Sequence, residues 1–291
     1  MQVISRRELL AATAGAAALA ALDVAPSAAR AGRPAQAPER LKQSVCRWPF
    51  ERIPLPEFCR AAKAIGLVAI DLLQPDEWPV ARAAGLICSM GYPSKRPDFI
   101  ARGFNDRTSH DLLVQELSDT IPQAARAGVP NLIAMFGNRG GRSDEDAAAA
   151  CSDGLRRVAP LAEAQGVTIC LELLNSKVDH ADYQGDHTAF GIRVIAGVGS
   201  PRVKLLYDIY HMQIMEGDVI RTIRDHIAHI GHFHTGGVHG RHELDDTQEL
   251  NYHAIARAIA DSGFGGFIAH EFEPTREPLS ALRDAVATCR V

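Results

Sequence analysis

From residue 44 onward the chain repeats two kinds of apolar pattern. Short, nearly continuous apolar runs occupy 44–48, 67–72, 86–90, 131–136, 167–173, 203–208, 228–234 and 267–271. Between them lie longer stretches whose apolar residues recur every third or fourth position, at 55–65, 76–84, 111–127, 143–165, 188–198, 218–226, 251–262 and 279–288. The short runs predict buried strands and the longer ones amphipathic helices. Glycine follows several of the predicted helices, at Gly66, Gly85, Gly128, Gly166 and Gly263, where a left-handed residue commonly closes the last turn. Ser143 with Asp146 predicts the capped start of one long helix running to Gln165.

Strictly alternating strands and helices call for a parallel sheet with crossover helices. Eight such units in about 250 residues predict an α/β chain with a single closed (β/α)8 TIM barrel over 44–291. The loops are unequal in a way that supports closure. Helix-to-strand turns are tight, as at Gly66 and Gly166, whereas the strand-to-helix connections at 91–108, 137–142, 175–186 and beyond 234 are long and polar. In barrels these latter loops form the active face.

The first 31 residues follow a different pattern. Ser5-Arg6-Arg7-Glu8-Leu9-Leu10 leads into an alanine-rich apolar run and then Ala29-Arg30-Ala31, a small-x-small cleavage site. That order predicts a secretory leader over 1–31. The paired arginines resemble a twin-arginine signal, which implies passage through the twin-arginine translocase and a periplasmic or otherwise exported mature chain. A Pro/Ala/Arg-rich stretch at 32–43 predicts a flexible lead-in. No later run approaches transmembrane length, so the mature chain is expected to stand free of the membrane.

Composition narrows the function classes. Thirty-one basic against 35 acidic residues, a net charge of -4, gives no sign of a nucleic acid or anionic membrane partner. The six cysteines, Cys46, Cys59, Cys88, Cys151, Cys170 and Cys289, form no C-x-x-C, and they are expected to be buried thiols. There is no G-x-S-x-G, no P-loop, no G-x-G-x-x-G after a strand and no Cys/His dyad. Nothing therefore supports nucleophilic acyl transfer, phosphoryl transfer from ATP or nicotinamide chemistry.

The ends of the last four predicted strands carry the chemistry. Glu172, Asp208, His234 and Glu271 each fall where an apolar run gives way to polar loop. Neighbouring strands lie roughly 5 Å apart, so four ligand types on adjacent ends can reach one ion. A carboxylate at a strand end is often only a helix cap, and a lone histidine is often a satisfied core residue. Four together at one end of four strands would be costly unless paired or metal-bound. Three carboxylates and one imidazole suit Mn²⁺, Mg²⁺ or Co²⁺, with Zn²⁺ second. His211 and Asn175, each three residues beyond a ligand, and Arg241 are candidates for holding an oxygen-rich substrate. Gln74, Arg139, Asp245 and Asp246 crowd the same face with no diagnostic spacing. A metal that chelates a carbonyl and its adjacent hydroxyl acidifies the carbon-bound proton, and Glu172 and Glu271 are placed to remove and return it.

The segments LELLN at Glu172, LLYDIYHMQIMEGD at Asp208, GHFHTGGVHGRHELDDTQELNY at His234 and HEFEP at Glu271 resemble the hydroxypyruvate isomerase family, one of the xylose-isomerase-like barrels. The resemblance implies a metal-dependent isomerase that acts on a small hydroxy-keto acid or sugar and interconverts hydroxypyruvate and tartronate semialdehyde. It places Glu172 and Glu271 at the catalytic glutamate positions, Asp208 and His234 at the other metal positions, and His211 and Arg241 against substrate. His234 stands where hydroxypyruvate isomerases often carry glutamine and ketose 3-epimerases carry histidine, so an epimerase is the alternative. A non-catalytic sugar-binding barrel and a trinuclear-zinc apurinic endonuclease are more distant ones. Barrels of this kind often pair, which implies a homo-oligomer.

Overall fold

The computed structural model describes residues 40–291. The leader read at 1–31 and most of the lead-in lie outside that range. Eight parallel strands form one curled sheet in the order β3-β2-β1-β8-β7-β6-β5-β4. They are β1 (Lys42–Cys46), β2 (Ala69–Asp71), β3 (Ile87–Cys88), β4 (Asn131–Met135), β5 (Thr168–Glu172), β6 (Val203–Asp208), β7 (Ile230–Thr235) and β8 (Phe267–His270). β1 begins two residues before the expected start and takes up part of the stretch expected as flexible lead-in. It pairs there with β8, Lys42 opposite Phe267.

β3 and β4 close the barrel through Gly91 rather than through a long ladder. Its N–H donates to the Asn131 carbonyl at 2.9 Å, and its own carbonyl accepts from Ile133 N–H at 3.0 Å. A Cβ at Gly91 would come within 2.8 Å of the Trp78 ring, so only glycine lets the two edges meet there.

The helices are α1 (Leu55–Ile65), α2 (Trp78–Ala83), α3 (His110–Ala127), α4 (Asp144–Arg156), α5 (Ala159–Gln165), α6 (Thr188–Val198), α7 (Ile209–Met215), α8 (Val219–His226), α9 (Tyr252–Asp261) and α10 (Pro278–Thr288). Two depart from the sequence reading. The long helix expected over 143–165 is divided, α5 starting afresh with Pro160 in its first turn. Proline cannot donate to the preceding turn and biases its neighbour away from helix. α7 follows β6 directly, over residues to which the sequence reading assigns no element. Asp208 caps it, its carboxylate accepting from His211 N–H at 3.2 Å. No described helix is long and apolar enough to cross a membrane.

All six cysteines are free and buried. Strand residues alternate between the helix layer and the barrel interior. The interior beneath the strand ends is polar, holding Gln43, Asp71, Ser89, His232 and His270, all essentially inaccessible. His270 is bound by Gln43 Oε1 at 2.9 Å and Thr235 Oγ1 at 3.1 Å, and burial pushes its pKa down to about 3.

Candidate active site

The four expected ligands converge. Glu172 and Asp208 are the last residues of β5 and β6, His234 is the penultimate residue of β7, and Glu271 directly follows β8. Parallel register sets Asp208 level with His234. One ligand atom from each of the four lies within 4.8 Å of the others, and all four residues are buried. His234 Nδ1 is 2.8 Å from Glu271 Oε2 and 3.4 Å from Glu172 Oε1. It makes no hydrogen bond of acceptable direction, and His211 Nε2, 3.6 Å from Asp208 Oδ2, is likewise buried and unsatisfied. A buried nitrogen aimed among three carboxylates without a partner fits a ligand of a divalent cation.

The charges around the cluster point the same way. Burial, opposed by Arg241 and reinforced by Glu271, pushes Asp208 up to about 7. Burial works on Glu271 in the same direction, but Arg241 and His234 outweigh it and hold its carboxyl well below the usual range. Burial opposes charge on His234, yet Cys46, Glu271 and Asp71 raise its pKa well above the ordinary value. The negative potential that favours a proton on this imidazole would favour a divalent ion in its place.

Asp71 and His232 were not read from the sequence as site residues. Asp71 closes β2, wholly buried, with His234 Nε2 3.0 Å from Oδ1 and His232 Nε2 3.0 Å from Oδ2. Ser89 Oγ also donates to it. Despite burial, hydrogen bonds and charge from the two histidines lower its pKa strongly. An ionised Asp71 keeps the proton of His234 on Nε2 and leaves Nδ1 free to face the carboxylates.

Arg241 is clamped in place. Its guanidinium sits 5.3 Å from the Trp48 ring centre and 5.4 Å from that of Tyr210. One nitrogen lies 3.2 Å from Asp208 and 2.5 Å from Glu271. Its backbone is left-handed, φ 59°, an uncommon conformation for a long side chain. Trp48 Nε1 donates to Glu271 Oε1 at 2.6 Å, so Glu271 is fixed from three sides. The surrounding loop is shaped by the other residues of its motif. Glu243 accepts from Thr275 N–H at 2.8 Å, and the Tyr252 hydroxyl holds the backbone of Gly236 on both sides.

His211 and Asn175 are fully buried. Asn175 Nδ2 lies 2.7 Å from His211 Nδ1 and 2.7 Å from Asp179 Oδ2. Neither residue lines the open cavity above the cluster, so both act here through their neighbours. Arg139 turns away to Asp144 and Asp186, while Asp245 caps its own turn at Thr247. The cavity, of about 700 Å³, is bounded by Trp48, Tyr92, Glu172, His180, Arg241 and Glu271 among others. Glu172 and Glu271 reach it, while Asp208 and His234 lie behind them.

A family profile described as xylose isomerase-like TIM barrel matches residues 38–290. The chain is similar to a putative hydroxypyruvate isomerase from Homo sapiens, 28% identical over 81% of this chain and 91% of the relative. It is also similar to a 2-oxo-tetronate isomerase from Cupriavidus necator, 37% identical over 42% of this chain and 46% of the relative. Among solved structures it superposes on an AP endonuclease of family 2 from Brucella melitensis with a TM-score of 0.76 and 21% identity, covering 86% of this chain and all of that one. That likeness speaks for the fold alone.

Proposed function

The chain belongs to the xylose isomerase-like TIM barrel family, and from that premise we propose that this isomerase moves a proton across a hydroxy-keto unit with the help of one divalent metal ion. The observation that carries the reading is the division of the four-residue cluster. Asp208 and His234 are sealed behind it, whereas Glu172 and Glu271 reach both the cluster and the cavity.

A divalent ion held by Glu172, Asp208, His234 and Glu271 would supply Lewis-acid polarisation of a carbonyl and its adjacent hydroxyl. The chain's residues do the rest. One of the two glutamates takes the proton from the hydroxyl-bearing carbon, giving an enediolate, and the proton is returned to the neighbouring carbon. Arg241, fixed between Trp48 and Tyr210, offers a cation to the oxygens of the reacting unit. The substrate suggested by the named relatives is hydroxypyruvate, converted to tartronate semialdehyde, or a close analogue. A ketose 3-epimerase is favoured by one observation, histidine rather than glutamine as the third ligand. The leader at 1–31 makes a periplasmic or otherwise exported site of action part of the proposal.

The test is incubation with Mn²⁺ and each candidate substrate in D₂O, followed by NMR. Deuterium on the hydroxymethyl carbon of hydroxypyruvate is expected for the isomerase and exchange at C3 of a ketose for the epimerase. Binding of metal and substrate with no exchange at any carbon would leave a sugar-binding barrel and refute catalysis.

A further inference from the structure

The cavity is large for a three-carbon acid, and its far wall carries polar groups without a task. Eight strands spaced about 4.8 Å apart and tilted about 36° enclose a barrel roughly 15 Å across. The metal cluster hangs on β5 to β8. Gln74, three residues past the end of β2, and Ser94, in the loop after β3, lie on the opposite side of the mouth, and both line the cavity. Gln74 Oε1 and Ser94 Oγ are buried without a hydrogen-bond partner. Leaving such atoms unpaired costs about 1–3 kcal/mol each, so they are suited to a ligand. Leu72, two residues before Gln74, also lines the cavity and carries a left-handed backbone, φ 55°. This is strain of the kind that persists where surrounding structure imposes a site.

The charge of this wall decides what it takes. The cationic side chains bordering the cavity are already matched. Lys95 pairs with Asp76, Arg96 with Asp98 and Glu116, and Arg241 with Asp208 and Glu271. Arg96 and Arg241 keep buried nitrogens without a hydrogen bond, but both cations are charge-balanced; the remaining unsatisfied groups are neutral, an amide oxygen that accepts and a hydroxyl that does either. A second carboxylate would find no free charge here, whereas a hydroxyl would find both a donor and an acceptor.

We propose that Gln74 and Ser94 form a distal subsite for the terminal hydroxyl of a hydroxylated carbon chain, so that the substrate has four or more carbons with its neutral end away from the metal. This rests on the metal and isomerase reading given above. A three-carbon hydroxy-keto acid occupies only the proximal half of the cavity, between the two glutamates and Arg241.

The test separates the subsite from the reaction by using binding alone. Mn²⁺-loaded protein is titrated calorimetrically with a four-carbon aldonate and with glycerate. The parent is expected to bind the longer acid about five- to tenfold more tightly, the gain of one to two hydrogen bonds. Gln74→Ala and Ser94→Ala should each remove most of that preference and leave glycerate affinity within about twofold. Equal affinity for the two acids in the parent, or an equal loss for both in the variants, overturns the subsite. If the preference holds and depends on Gln74 and Ser94 while no substrate exchanges deuterium, the isomerase reading fails and the subsite stands.

Discussion

Replacing Asp71 with asparagine tests whether the metal site is organised from beneath. The carboxylate faces two histidine nitrogens at 3.0 Å; His234 Nε2 is hydrogen-bonded to Oδ1, whereas His232 Nε2 meets Oδ2 without hydrogen-bond geometry. Asparagine is nearly the same shape but presents a carbonyl and an N–H donor, either of which can face His234. With the N–H toward it, His234 must carry its proton on Nδ1, and the cluster loses a ligand. With the carbonyl toward it, the His234 imidazole still loses its anionic partner and becomes a weaker base. Outer-shell partners of this kind are worth about 10- to 100-fold in metal affinity, or about 1.4 to 2.7 kcal/mol. Asp71→Asn should therefore raise the Mn²⁺ dissociation constant by that factor in a calorimetric titration.

The same change also weakens the buried charge-assisted hydrogen bond with His234, worth about 1.5–3 kcal/mol, so the metal-free melting temperature should fall by about 3–12 °C. Ser89→Ala separates the two effects. It deletes one donor to Asp71 and leaves the His234 contact intact, so it should lower stability with affinity changed less than about threefold. An Asp71→Asn protein that is folded, less stable and unchanged in Mn²⁺ affinity would refute the argument, because Asp71 would then be a packing residue only.

Other consequences can be checked directly. Glu271→Gln keeps the shape but not the base, and deuterium exchange should fall by about 10²- to 10⁴-fold with the circular dichroism unaltered; full retained exchange would sink the two-glutamate scheme. Arg241→Lys keeps the charge but not a planar group held between Trp48 and Tyr210, so KM should rise about tenfold or more with a smaller change in kcat. Burial holds Asp208 up near 7. A metal needs its carboxylate ionised and its imidazole neutral, so apparent Mn²⁺ affinity should climb with pH through about 7 and keep climbing above it, because the raised proton affinity of His234 also opposes the metal; affinity independent of pH from 5 to 8 would contradict this. The metal-free chain carries the opposite slope from the same group. Its folded form binds the proton more tightly than the unfolded form, so this contribution is fully present below the ordinary aspartate value and is lost as pH rises toward 7.

What the sequence disclosed and what it hid follow from one feature of parallel barrels. Their strands are buried on both faces and read as continuous apolar runs, so a polar residue is conspicuous where a run stops and easily absorbed where a run continues. Glu172, Asp208, His234 and Glu271 stand at such stops; the ladder sets Asp208 level with His234, and the ligand atoms of all four converge. Asp71 stands inside the run 67–72, where it reads as one tolerated interruption among Ile70, Leu72 and Leu73. The clue lay in β7 instead. His232 and His234 are two residues apart, hence on one face of a strand, and two buried imidazoles facing the same way call for an acid between them. Asp208 shows why a single residue could not be decided from sequence. One oxygen caps α7 through His211 N–H while the other faces Arg241 and the cluster. Cap and ligand are thus compatible readings of one carboxylate, and the cap fixes the direction in which the ligand points. The division of the helix at 157–158 was legible in Pro160, but the apolar period on either side continues without a break and conceals it. The far wall of the cavity was least legible of all. Gln74 and Ser94 sit in loops without periodicity, and only closure of the barrel through Gly91 sets them across from the four-residue cluster. On the proposed reading, specificity resides in loops of the first half of the chain, while the residues that define the chemistry come from strand ends of the second.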